Sequence, residues 1–174
     1  MNLREIAFHA IETNFEGYVP ELDKETKNKY SEIKQGFVVI TKKGDLRGEY
    51  GELEATFPLW KNIQKNAVKA GFSSKGFSAL KKEELKAIKV EVFIVNDLNE
   101  LKFETEKDLI DNFEIGKGVV LKKGAFEAVA LPYVWENIQS KRGFLDELCL
   151  KAGLQESDWK KEGVRIWVFD VNGE

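Results

Sequence analysis

The chain has 174 residues, of which 43% are hydrophobic and 33% charged, a balance that excludes a disordered polymer and provides for one domain or two small lobes. Basic residues number 27 against 30 acidic ones, for a net charge of -3, so nucleic-acid binding, which normally leaves a basic excess, is not expected as a main activity, though a local basic patch is compatible with this balance. The lone Cys149 and the lone His9 rule out an internal disulfide and a closed zinc site, and no cofactor is implied. Residues Met1 to Ile11 are broken by Arg4 and Glu5 and lack the apolar core of a signal peptide. No stretch approaches the ~20 apolar residues of a membrane span, so the expected location is cytoplasmic.

In chain order, Leu3, Ile6, Ala7, Ala10 and Ile11 form the stripe of an amphipathic helix spanning residues 2–14, with Asn2 and Glu5 placed as a capping box. Pro20 and the polar run to Lys29 predict a loop with room for a short surface helix. Gly36 to Thr41 reads as a buried strand. Lys42-Lys43-Gly44-Asp45 supplies the turn, with Gly44 suited to positive φ, and a second strand runs from about Leu46 to Glu54. Pro58 starts a helix whose inner face is Leu59, Ile63, Ala67 and Ala70, with Gly71 placed as its C-terminal cap. A polar stretch, Ser73 to Ser78, and a short helix at Lys82 to Leu85 precede a strand from Lys89 to Val95.

Past Asp97, Thr105 to Asn112 reads as a short capped helix. Strands follow at Gly118 to Lys122 and Ala125 to Leu131, then helices at Tyr133 to Gln139 and Phe144 to Ala152, the latter ending at Gly153. The last strand is Val164 to Val171. These two halves match block by block. Gly36-Phe-Val-Val-Ile-Thr-Lys-Lys-Gly44 pairs with Gly118-Val-Val-Leu-Lys-Lys-Gly124, and Lys69-Ala-Gly-Phe72 with Lys151-Ala-Gly-Leu154. Lys89-Val-Glu-Val-Phe-Ile-Val95 pairs with Arg165-Ile-Trp-Val-Phe-Asp-Val171. The order and near-constant spacing predict an α+β fold of two lobes, approximately 36–95 and 118–171. The lobes are related by an internal ββαβ duplication, with mainly antiparallel sheets flanked by helices.

The sharpest local feature is Leu46-Arg47-Gly48-Glu49-Tyr50-Gly51. Arginine offers a planar fork suited to carboxylate or phosphate, and Gly48 and Gly51 permit close approach of a backbone or ligand, or mark a bulge. Strand alternation puts Arg47 and Glu49 on one face and Tyr50 on the other. A purely structural edge strand with a surface Arg47–Glu49 pair is the competing reading. The matching strand of the second half carries no such residues. Elsewhere, Cys149 lies on an apolar helix face and reads as a buried thiol, and His9 reads as a rim residue. Glu49, Glu52 and Glu54 are divided between strand faces and read as solvated charges. Trp135, Trp159 and Trp167 read as core filler.

Taken together, several blocks resemble the AMMECR-type domain, protein A of the AmmeMemoRadiSam system. They are Gly36 to Thr41 through Asp45 to Gly48, Glu84 to Val92, Ile115 to Gly118, Leu131-Pro132, and Phe144 to Leu154 followed by Trp159. The resemblance spans most of the chain and implies a single AMMECR-type domain over residues 1–174 with a two-lobed α+β fold. It also implies two partners, a Memo-like protein and a radical SAM protein. The family signature Leu-Arg-Gly-Cys-Ile-Gly is matched at Arg47, Gly48 and Gly51, but Glu49 stands at the cysteine position, so thiol chemistry there cannot run in this chain. The leading expectation is an accessory protein that binds a ligand or partner through Arg47, Gly48, Glu49, Tyr50 and Gly51. The alternative is an enzyme for a small anionic metabolite, with Arg47 as anion clamp and Glu49 as general acid or base.

Overall fold

The computed structural model describes residues 1–138 and 140–173. Helix α1 (Leu3–Asn14) begins with the expected reciprocal cap: the Glu5 amide donates to Asn2 Oδ1 at 2.9 Å, and the Asn2 amide to Glu5 Oε2 at 2.8 Å. Its stripe of Leu3, Ile6, Ala7, Ala10 and Ile11 is completely buried. His9 sits on the rim, 3.6 Å from Glu12. The polar run carries a six-residue helix, α2 (Lys24–Lys29), capped by Asp23.

Strands β1 (Gly36–Lys42) and β2 (Asp45–Gly51) form a hairpin whose two turn residues, Lys43 and Gly44, have φ of 55° and 91°. Both lie in the left-handed region, as a primed turn requires to follow the twist of the strands. β2 stops at Gly51, short of the expected Glu54, because Gly51 pairs with Phe37 and β1 has almost run out of partners. Helix α3 (Leu59–Phe72) follows Pro58 and buries Leu59, Ile63, Ala67 and Ala70 as expected. Gly71 is not its cap but lies within the last turn. Its carbonyl accepts from the Leu80 amide at 2.8 Å, and a methyl group there would come within 3.0 Å of Leu80 Cδ1. Gly71 is thus a close-approach residue for the returning chain.

After a 3₁₀ turn at Lys82–Lys86, strand β3 (Ile88–Leu101) runs six residues beyond the expected end at Val95. β1 lies between β2 and β3, antiparallel to both. Val38, Ile40, Val90 and Val92 meet α1 and α3 in one apolar cluster. Buried amides of α3 tie down irregular chain: Asn62 Nδ2 donates to the Lys34 and Phe57 carbonyls, and Asn66 Nδ2 to that of Gly36, each at 2.9 Å. These elements, with β3 up to Val95, belong to a compact unit that covers residues 1–95 and 172–173.

The second unit, residues 96–171, repeats the connectivity. Helix α4 (Glu106–Asn112) is capped by Thr105 as expected. Strands β4 (Gly118–Lys123) and β5 (Phe126–Ala130) form a hairpin, and after α5 (Lys141–Ala152), strand β6 (Val164–Gly173) returns beside β4. The central strand of each unit is therefore the first of its hairpin. The helix expected at Tyr133 to Gln139 is a 3₁₀ segment, Pro132–Asn137, and Gln139 lies outside the described residues. α5 starts three residues before the expected Phe144 because Ser140 caps it, its Oγ accepting from the Gly143 amide at 3.0 Å. Gly153 ends it with φ of 89°. The chain is thus α+β, built of antiparallel strands flanked by helices.

Trp159 and Cys149 are buried in this second core, and burial pushes the Cys149 thiol pKa up. The Trp159 indole donates to Asp146 Oδ1 at 2.7 Å, while Trp135 stacks on Phe144 with ring centroids 3.9 Å apart. Trp167 departs from the core expectation. It is half-buried, with the Arg165 guanidinium 4.7 Å above its ring.

Arg165 also grips Glu100, donating from Nε at 2.8 Å and Nη2 at 3.0 Å. This fork, with Lys102 second, lowers the Glu100 carboxyl from 4.5 to about 2. A depressed carboxyl stabilises the fold fully above its unfolded value and loses that contribution as pH falls toward the folded one. Side-chain NMR titration is expected to show Glu100 still ionised at pH 3, and Arg165→Ala to return it to the ordinary carboxylate range.

Candidate functional site

β2 is an edge strand, and its register explains where its side chains go. Ile40 pairs with Gly48 and Thr41 with Leu46, so Arg47 is an extra residue in a β-bulge. Alternation predicted Arg47 on the face of Glu49. The bulge instead turns its guanidinium to a segment 37 residues further on. Nε donates to Glu84 Oε1 at 3.0 Å and Nη2 to Glu84 Oε2 at 2.9 Å, a two-pronged pair. Nη1 donates to the Ser78 carbonyl at 2.9 Å, and Nη2 reaches the Ala79 carbonyl at 3.4 Å. The side chains of Arg47 and Glu84 are only 16% and 12% exposed. The Arg47 fork, then Lys42 and then the Lys81 amide hold the Glu84 carboxyl far below the usual carboxylate range.

Both glycines of the strand are pressed against the chain's own atoms. A Cβ on Gly48 would lie 2.2 Å from the Ala70 carbonyl oxygen at the end of α3. One on Gly51 would lie 2.1 Å from the Phe37 ring. Between them, Ser74 Oγ accepts from the Glu49 amide and donates to the Glu49 carbonyl, both at 3.0 Å. Ser74 thereby satisfies the outward-facing backbone of the edge strand at Glu49, a position that would otherwise invite another strand.

Tyr50, on the helix side, accepts from Lys69 Nζ at 2.9 Å, and Lys69 and Lys65 converge on Glu52 at 2.8 and 3.1 Å. Lys69 lowers the Glu52 carboxyl most, and Glu52 followed by Tyr50 raises the Lys69 ammonium pKa. Glu49 is half-buried and lies opposite Val39. The five expected residues are therefore contiguous on one strand but serve different neighbours.

Two residues that complete this arrangement, Glu84 and Ser74, were missed as site residues. Glu84 opens a block shared with the AMMECR-type domain, the one signal that could have raised it. Among the described residues, no group of three or more His, Cys, Asp or Glu side chains is placed to hold a metal ion. No helix among them is long and apolar enough to cross a membrane.

Comparison with known proteins agrees with this architecture. Protein NEQ441 of Nanoarchaeum equitans is 32% identical over 173 residues, covering 98% of this chain and 96% of its own. A protein of Aquifex aeolicus is 31% identical over 180 residues, covering 97% and 90%. The crystal structure of an uncharacterised protein, PH0010 from Pyrococcus horikoshii, superposes with a TM-score of 0.89 at 25% identity, covering 98% of this chain and 88% of that one. The sequence pattern of AMMECR1 matches residues 4–173, and the chain belongs to the AMMECR1 family.

Proposed function

We propose that this chain is a cytoplasmic accessory protein that works by binding partners, a Memo-like protein and a radical SAM protein, as a single AMMECR-type domain over residues 1–174. The observation that supports this reading is the commitment of Arg47. All three guanidinium nitrogens are bonded to Glu84, Ser78 or Ala79. An anion clamp needs open donors, so the alternative of an enzyme with Arg47 as clamp and Glu49 as acid or base loses its main support. Arg47 instead acts as a buckle. It joins β2 to the 73–87 segment through Ser78, Ala79 and Glu84, and Leu46 and Phe77, the chain neighbours of Arg47 and Ser78, are 38% and 37% exposed. In this reading the strand residues Arg47 to Gly51 shape the recognition surface, and Leu46 and Phe77 supply its apolar contacts.

Calorimetry with the Memo-like and radical SAM proteins of the same genome tests this. The wild type should bind at least one of them. The Leu46→Asp/Phe77→Asp variant should lose roughly tenfold or more in affinity, with its melting temperature unchanged. Wild type that binds neither protein, or a variant that binds as well, would sink the proposal. A small anion retained in native mass spectrometry and lost in Arg47→Lys would revive the enzyme reading.

A further inference from the structure

Strand β5 is also an edge strand, pairing with β4 alone. Its hairpin closes through Gly124 and Ala125, so Lys123 and Phe126 form the hydrogen-bonded pair beside the turn. In an antiparallel ladder the bonded pairs alternate, which makes Leu121–Ala128 and Val119–Ala130 the next two. The N–H and C=O groups of Glu127 and Val129 therefore point away from β4. None of them has a hydrogen-bond partner among the described residues. The edge of the first unit is closed by Ser74 at Glu49. In the second unit the loop after α5 turns its serine, Ser157, to Asp146 instead, the Ser157 amide donating to Oδ1 at 2.8 Å.

We propose that β5 is a dimerisation edge, pairing antiparallel with β5 of a second copy about a two-fold axis at Ala128. In this register Glu127 faces Val129 of the second copy, and the outward groups of the two strands satisfy one another in four hydrogen bonds. Three features make the strand self-complementary. No like charges come opposite each other, and Glu127 already has Lys122 of its own chain at 3.3 Å. Phe126 comes opposite Ala130 of the second copy, a large side chain against a small one. Phe126 is 49% exposed on the α5 side of the edge, where its ring packs beside Gly153, and the second copy covers it. The strand also lacks the proline, bulge or inward lysine with which monomeric proteins block such edges.

Light scattering on the eluting protein at about 100 µM, where even a micromolar dimer is filled, is expected to give twice the 19.9 kDa chain mass. The Glu127 and Val129 amides are expected to exchange slowly with deuterium at that concentration and rapidly on dilution. Two variants should become monomers with native circular dichroism: Val129→Pro, which removes an amide unused within the fold, and Phe126→Lys, which charges the exposed ring position. If the proline variant does not fold, the charged variant decides. A wild-type monomer at about 100 µM, including one that gains a strand only from a different protein, overturns the proposal. A dimer that survives both variants with the two amides still exchanging rapidly overturns it equally.

Discussion

Gly48→Ala is expected to destabilise the protein by about 3 kcal/mol or more, lowering the melting temperature by roughly 10 °C. The added methyl would sit 2.2 Å from the Ala70 carbonyl oxygen and 3.3 Å from its carbonyl carbon. These are backbone atoms of α3, so no rotamer change makes room. α3 is held by Ile63, Ala67 and Ala70 in the core, and β2 by its ladder to β1. Strand and helix end must therefore separate, which also strains the Ser74 bridge to Glu49. Gly44→Ala provides the contrast. That glycine has φ of 91° but open space around its Cβ position, so only conformational strain of about 1 kcal/mol is expected. Thermal melts of both variants check the argument. A Gly48→Ala protein that melts no lower than Gly44→Ala would show that the close approach of β2 to α3 is not a constraint.

Arg47→Ala is expected to cost about 2 kcal/mol and to loosen residues 74–87 without unfolding the sheet. The loss leaves the Glu84 carboxylate, 12% exposed, with Lys42 Nζ at 2.8 Å and the Lys81 amide at 3.0 Å as its remaining bonded partners. It also strips the donor from the Ser78 and Ala79 carbonyls. Arg47→Lys should recover only a minor part, because a single ammonium cannot reach a carboxylate and two carbonyls in one plane. A double-mutant cycle with Glu84→Gln should give a coupling of about 1 kcal/mol or more. Hydrogen exchange is expected to show faster turnover of amides in the 74–87 segment, with α1 unaffected. The sign with pH follows from the depressed Glu84 carboxyl. The stabilisation is complete above the ordinary carboxylate range and is lost progressively as pH falls from there toward the depressed folded value. An Arg47→Ala protein with wild-type stability and exchange would remove the buckle, and with it the support for the partner-binding reading.

Much of the fold was legible because its determinants are local. The Asn2–Glu5 cap, the stripe of α1, the Gly44 turn, the inner face of α3 and the Gly153 terminus each depend on residues within a few positions of one another. A capping bond, a left-handed turn or a helical period is specified at that range. The repeated hairpin–helix–strand order was legible for the same reason, since each block carries its own pattern.

The candidate site was legible as a segment and not as an arrangement. The sequence singled out Leu46 to Gly51 through its arginine and glycines, but strand alternation placed Arg47 beside Glu49. One extra residue opposite Thr41 breaks the period-two rule, and no local signal fixes where a bulge falls. Gly71 was misread likewise: its neighbour is Leu80, across a loop, and that contact rather than a helix end accounts for the glycine. Composition, caps, turns and periodicity, all read within a few residues, determined the elements and their order by themselves. The tertiary structure alone decided that Arg47 pairs with Glu84. An ion pair across 37 residues forms only once helix and strand have packed to bring the two charges within 3 Å.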